Sequence, residues 1–191
     1  MKKHTYPVLA GYLLSSPLRK MVHNPVMIVK PYIQPDMKVM DFGCAMGFFS
    51  LPMARLVGPK GKVLCVDIQE KMLEVLSYRA GRTDLADRIE TILCSQNLDR
   101  LEKLEGDIDF VLAFAVIHEL PDCAKLFYEL HRKMNPAGKL LIAELSRQVT
   151  QNEFSAMIAT AENHGFEVIG NPEIGSCRTV LLANQNPAAN P

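Results

Sequence analysis

Short apolar runs alternate with helix-period stretches along most of this chain, and that alternation constrains its fold more than any other feature. Residues 39–42, 62–66, 89–94, 108–115 and 139–144 read as strands, while 50–57, 69–80 and 122–134 follow the helical period. Gly58-Pro59-Lys60-Gly61 and Asn135-Pro136-Ala137-Gly138 break the pattern between them. Repeated strand–helix alternation requires right-handed crossovers, so the expected fold class is α/β: a doubly wound, seven-stranded, mostly parallel sheet with helices on both faces. Residues 108–115 are apolar almost throughout, as a strand covered on both faces must be. The end of the chain departs from this rule. After a helical stretch at 152–164, the runs 166–169 and 179–183 are separated only by residues 170–178. That connection is too short for a crossover helix, so the sheet is expected to finish in an antiparallel hairpin.

With 191 residues, 48% of them apolar and 22% charged, the chain has the composition of one globular domain. Disordered and fibrous classes are excluded on that ground. Twenty-one basic and twenty-one acidic side chains cancel, whereas a dedicated nucleic-acid binder carries a basic excess, so no nucleic-acid partner is expected. The charge is nevertheless segregated. Lys2, Lys3, Arg19, Lys20, Lys30 and Lys38 face only Asp36, a net +5 that leaves −5 for the rest of the neutral chain. Residues 1–34 also lie outside the alternating pattern, and Pro17 and Pro25 interrupt their helical apolar stripes. They are expected to form a helical leader or lid, with the core domain at 35–183 and a polar, disordered tail at 184–191. Cys44, Cys65, Cys94, Cys123 and Cys177 form no C-x-x-C pair and are odd in number, which points to reduced thiols, no metal site and a cytoplasmic protein. No apolar run approaches the ~20 residues of a membrane span, so stable membrane insertion is not expected.

In an open parallel sheet, ligands sit at the carboxyl ends of the strands. The first strand ends in Asp41-Phe42-Gly43-Cys44-Ala45-Met46-Gly47, and Asp67 ends the next, 26 residues after Asp41. Glycine lets the backbone turn tightly beside a ligand, and a strand-end carboxylate can accept both hydroxyls of a ribose. The pair predicts a nucleoside-containing cofactor. A dinucleotide loop reads G-x-G-x-x-G, and this one does not. Asp41 would also repel a pyrophosphate but attract an ammonium or sulfonium. The sign favours S-adenosyl-L-methionine over NAD.

Residues 39–49 resemble the first motif of the class I S-adenosylmethionine-dependent methyltransferases, 63–67 their second strand with its ribose-binding acid, and 107–120 their fourth-strand motif. Asn135-Pro136-Ala137-Gly138-Lys139 resembles the turn before their fifth strand. The resemblance covers about residues 35–183 and is greatest to the small-molecule methyltransferases that include the ubiquinone/menaquinone biosynthesis enzymes. It implies a Rossmann-like fold and cofactor contacts at Asp41, Gly43, Cys44, Ala45, Gly47, Phe48 and Phe49, at Asp67, Ile68 and Gln69, and at Ala113. Two positions depart from the pattern. Ala45 replaces the usual middle glycine, which a negative φ at that residue would accommodate. The usual adenine-binding acid after the third strand is replaced by Cys94-Ser95-Gln96, where Ser95 or Gln96 could accept the same hydrogen bond.

The fourth strand runs into Ala113-Phe114-Ala115-Val116-Ile117-His118-Glu119-Leu120. The family's nucleic-acid amino methyltransferases carry a polar Pro-Pro-aromatic signature here, and this stretch is apolar. His118 titrates near neutrality and could take a proton from a phenol or acid, or serve only as a helix-end group. Glu119 and the strand-end Glu144 are the other catalytic candidates, and His23, Asn24 and Tyr32 of the leader are candidate substrate contacts. Methyl transfer to a small-molecule acceptor is therefore expected. A non-catalytic cofactor-binding regulatory module and an NAD-dependent oxidoreductase are the rival readings.

Overall fold

The computed structural model describes residues 24–104 and 106–185, and the chain divides after Leu93 into two compact units. The first contains α1 (Pro25–Val29), β1 (Lys38–Phe42), α2 (Ser50–Leu56), β2 (Lys62–Asp67), α3 (Glu70–Gly81) and β3 (Ile89–Leu93). Its strands are parallel: β1 pairs with β2 from Lys38↔Lys62 to Phe42↔Val66, and β2 with β3 from Val63↔Ile89 to Asp67↔Leu93. Val39, Met40 and Val63 through Val66 are buried, as strands covered on both faces require. Helix α3 turns Met72, Leu73, Leu76 and Ala80 inward, an i, i+4, i+8 stripe that packs on β2 and β3.

Part of the expected leader belongs to this unit. Asn24 caps α1, its Oδ1 accepting from the amides of Val26 at 3.1 Å and Met27 at 3.4 Å, and Pro25 takes the first helical position. Val29 and Ile33 are buried and α1 packs on α2. Burying a side chain of that size stabilises by about 1.5–3 kcal/mol, so Val29 and Ile33 contribute to the core of this unit. The remainder of the leader, with His23, lies outside the described residues.

The second unit contains β4 (Ile108–Phe114), α4 (Cys123–Lys133), β5 (Met134–Leu145), α5 (Gln151–Glu162), β6 (Phe166–Gly170) and β7 (Cys177–Asn184), with a 3-10 turn at Ile117–Glu119. Asp122 caps α4 through the Ala124 amide at 2.9 Å, and His131, Arg132 and Lys133 occupy its last turn, where cations suit the helix dipole. Thr150 and Glu153 form a reciprocal capping box at the start of α5. Strands β4 and β5 are parallel, and β7 runs antiparallel to both β5 and β6. The strands follow the order β3-β2-β1 in the first unit and β4-β5-β7-β6 in the second, seven in a Rossmann-like fold with the antiparallel ending expected from residues 166–184.

Two boundaries differ from expectation. Strand β5 starts at Met134, not 139. Ile108 pairs with Met134 and Phe110 with Lys139, so 135–138 form an irregularity in the strand, where a proline without an N–H is tolerated. Asn184 was expected in the disordered tail, yet it ends β7 and is buried. Its side-chain amide donates to the carbonyls of His131, Met134 and Asn135 at 3.0–3.1 Å, while its Oδ1 lies 2.6 Å from His131 Nδ1. A buried amide with every bond made belongs to the fold. Residues 186–191 lie outside the described residues. Among the described residues no helix is long and apolar enough to cross a membrane.

Candidate functional site

In the first unit β1 delivers the chain into the glycine loop. Gly43 (φ 76°), Ala45 (φ 46°) and Gly47 (φ 81°) all adopt the left-handed region. The negative φ that would accommodate Ala45 is therefore not found, and a left-handed alanine costs about 1–2 kcal/mol. A specific bond offsets the cost: the Ala45 amide donates to Asp67 Oδ2 at 2.9 Å. Asp67 Oδ1 accepts from the Gln69 amide, also at 2.9 Å, so one carboxylate ties the loop to the start of α3. The amides of Gly43 and Cys44 both donate to Val66 O, at 2.8 and 3.0 Å, and Gly47 N donates to Cys44 O at 2.9 Å. Burial raises the Asp67 pKa, and the amides of Gln69, Ala45 and Ile68 pull it back down.

Asp41 is buried beneath the loop and accepts a 2.5 Å hydrogen bond from Ser50 Oγ, the first residue of α2. Sequence reading missed Ser50. The signal available was a hydroxyl nine residues beyond a strand-end acid, at a helix start where Ser is common. Cys44 is buried, and burial beside the Cys65 thiol and the Asp41 and Asp67 carboxylates pushes its thiol well above the usual range, leaving it inert. Phe48 and Phe49 are buried with ring centroids 5.0 Å apart, edge to face. Ile68 is exposed and Gln69 half-buried at the start of α3. On α3, Arg79 Nη1 donates to the Met46 carbonyl in the loop, a contact that no sequence motif announced. Tyr32, beyond α1, is half-buried, and burial raises its phenol pKa.

In the second unit Ser95 and Gln96 occupy an exposed turn. The Ser95 hydroxyl and amide are both committed to Asp99 Oδ1, at 2.7 and 3.0 Å, and the Asn97 amide donates back to Ser95 Oγ. Ala113 is buried within β4. After β4 the backbone turns at Ala115 (φ 54°), whose amide donates to Ala143 O at 2.7 Å, and enters the 3-10 turn that carries His118 and Glu119.

The structure brings His118 and Glu144 together. Glu144 is fully buried near the end of β5; its Oε1 accepts from the amides of Ile117 at 2.8 Å and His118 at 3.3 Å, and its Oε2 lies 2.7 Å from His118 Nδ1. A buried carboxylate accepts at Nδ1, which leaves Nε2 as the ring's second nitrogen. The Glu144 hydrogen bond raises the His118 pKa; burial opposes it, and the charges of Glu144, Glu119 and Glu153 add to the rise. Glu119 therefore acts on His118 through charge. Glu153, which sequence reading did not single out, sits in the capping box of α5. Such a ring, oriented by a buried acid, can accept and release a proton.

The family described as a methyltransferase domain matches residues 33–176. Among curated relatives, the malonyl-[acyl-carrier protein] O-methyltransferase of Legionella pneumophila is 30% identical over 141 residues, 73% of this chain and 48% of that protein. The ubiquinone/menaquinone biosynthesis C-methyltransferase UbiE of Shewanella oneidensis is 28% identical over 149 residues, 76% of this chain and 55% of that protein. The chain thus spans about half the length of these curated relatives. Among solved structures, a SAM-dependent methyltransferase from Aquifex aeolicus superposes with a TM-score of 0.82 at 23% identity, covering 94% of this chain and all of that one, and shows the same fold. With the family match spanning most of its length, and with the glycine loop and strand-end acid in place, the chain belongs to the class I S-adenosylmethionine-dependent methyltransferases.

Proposed function

We propose that this chain transfers a methyl group from S-adenosyl-L-methionine to a small-molecule acceptor, with His118 taking the acceptor's proton and Glu144 orienting the imidazole. The tie between Asp67 and the glycine loop is the observation that carries the reading. The Asp67 carboxylate accepts from backbone amides at both oxygens and has acceptor capacity beyond them, which suits it to a ribose hydroxyl. Gly43 and Gly47 put no side chain at the two ends of the loop, and Asp41 places negative charge beside it, which favours an ammonium or sulfonium. The residues therefore fit this cofactor. When bound, it supplies a methyl group already activated on sulfur. What remains for the chain is to hold and align the reactants and to remove a proton where the acceptor has one to lose.

The names of the two curated relatives, one acting on a malonyl group carried by acyl-carrier protein and one in quinone biosynthesis, support a small organic acceptor. Asp67→Ala is expected to weaken S-adenosylhomocysteine binding by about one to two decades, or roughly 1.5–3 kcal/mol, in calorimetry. Unchanged affinity would remove Asp67 from the cofactor site. Acceptors are sought by mass spectrometry of small-molecule extracts incubated with the protein and isotopically labelled cofactor. Silence across such extracts, with cofactor binding intact, would favour the non-catalytic module.

The proton-transfer role makes a signed prediction. Only neutral His118 can accept a proton, and its pKa is raised by Glu144. The acid limb of kcat/KM is therefore expected above the ordinary histidine value of about 6.5. Glu144→Gln should move that limb to lower pH, and His118→Gln should cut kcat by about 100-fold or more. A limb that stays in place in Glu144→Gln would show that another group titrates.

A further inference from the structure

We propose that Arg79 is a positioning residue for the glycine loop: its guanidinium holds the Met46 carbonyl and so sets the backbone that the cofactor meets. The proposal rests on the reading of residues 43–49 as the cofactor cradle.

Arg79 lies three residues after Leu76 on α3, so both side chains project from the same face toward the same loop. Leu76 is fully buried against Gly47, where a Cβ would come within 2.3 Å of its Cδ1. Arg79 is half-buried at the margin of the apolar stripe. An arginine in that position can run its stem along the apolar surface and put its charge in water. Here Nη1 donates to Met46 O, although burial disfavours the charged guanidinium and lowers its pKa.

The carbonyl it holds is critical to the loop's shape. Met46 stands between two left-handed residues, Ala45 (φ 46°) and Gly47 (φ 81°). In a trans peptide the C=O and the following N–H point in opposite directions. Fixing Met46 O toward Arg79 therefore turns the Gly47 N–H away from it, where it donates to Cys44 O at 2.9 Å. One residue earlier, the Ala45 amide is fixed by Asp67 Oδ2 at 2.9 Å. Two peptide planes of the loop, 44–45 and 46–47, are thus set by charged side chains of opposite sign, a carboxylate on an N–H and a guanidinium on a C=O. Without Arg79 the 46–47 peptide loses its external anchor and can rotate, taking the Gly47 amide with it.

The test uses the full chain with Arg79→Met, which keeps the stem and removes the donors, and Arg79→Lys, which restores one donor. Calorimetric affinity for S-adenosylhomocysteine and amide hydrogen exchange at Gly47 in the unliganded protein are measured for both variants. Arg79→Met is expected to bind about tenfold more weakly and to exchange the Gly47 amide faster, with Arg79→Lys recovering part of each effect. A role in stability alone would lower the Tm of Arg79→Met and leave its affinity where it was. If Arg79→Met binds as the wild type does, the assignment is overturned; should that variant not fold, wild-type affinity together with unprotected Gly47 exchange in Arg79→Lys would overturn it equally. Wild-type protein that does not bind S-adenosylhomocysteine would sink the cofactor reading of the loop. In that case the exchange data alone judge Arg79, and unchanged protection at Gly47 in Arg79→Met rejects it.

Discussion

Glu144→Ala will lower the folding stability of this protein by about 3–5 kcal/mol, the loss expected when one partner of a buried, hydrogen-bonded ion pair is removed. Glu144 has no exposed surface and accepts from two backbone amides and an imidazole. Alanine leaves the buried Ile117 N–H without its acceptor and His118 without its counter-charge, and each orphaned donor costs about 1–3 kcal/mol. Glu144→Gln keeps an acceptor for the Ile117 amide and should lose distinctly less. The pH dependence has a definite sign. The folded pKa of His118 is raised, so the stability it gains from Glu144 is fully present below its unfolded value of about 6.5 and disappears as pH rises through the raised folded value. The wild-type advantage over Glu144→Ala should therefore be larger in mildly acidic than in alkaline buffer. Urea unfolding of the three proteins at two pH values measures both effects. A loss under about 1 kcal/mol for Glu144→Ala would mean that the carboxylate is not an organising group of the second unit.

Gly47→Val is expected to abolish detectable S-adenosylhomocysteine binding and to destabilise the fold by about 2–5 kcal/mol. Two independent problems combine. The backbone at Gly47 has φ 81°, a region that a β-branched residue rarely enters. The added Cβ would also lie 2.3 Å from Leu76 Cδ1 and 3.6 Å from Leu51 Cγ. Leu76 is fully buried and has little room to yield. The double variant Gly47→Val, Leu76→Ala separates the causes, because it removes the collision but leaves the backbone demand. It should regain part of the packing loss relative to Gly47→Val without regaining affinity. Recovery of normal binding in the double variant would show that the left-handed backbone at 47 is dispensable to the cradle.

The parts of this protein legible in its sequence are those written in local signals. Short apolar runs and period-3.6 stretches, with breakers at 58–61, located most strands and helices of both units. The short connection between 166–170 and 177–184 was enough to require antiparallel pairing. Gly43, Gly47 and Asp67 were visible because tight turns and strand-end acids use few residue types. What stayed hidden depends on partners far apart in the chain. Glu144 meets His118 across 26 residues because β4 and β5 lie side by side, and Arg79 reaches Met46 across 33 because α3 packs back along the loop. The left-handed φ at Ala45 was illegible for the same reason: alanine disfavours that conformation, and the distant carboxylate of Asp67 holds the Ala45 amide there. The tertiary fold likewise drew Val29, Ile33 and Asn184 into the interior from segments whose composition resembles leader and tail. Composition and periodicity determine which elements form, because they report each residue's own preference. Register and packing decide which side chains meet, because those pairings exist only once the strands have taken their places.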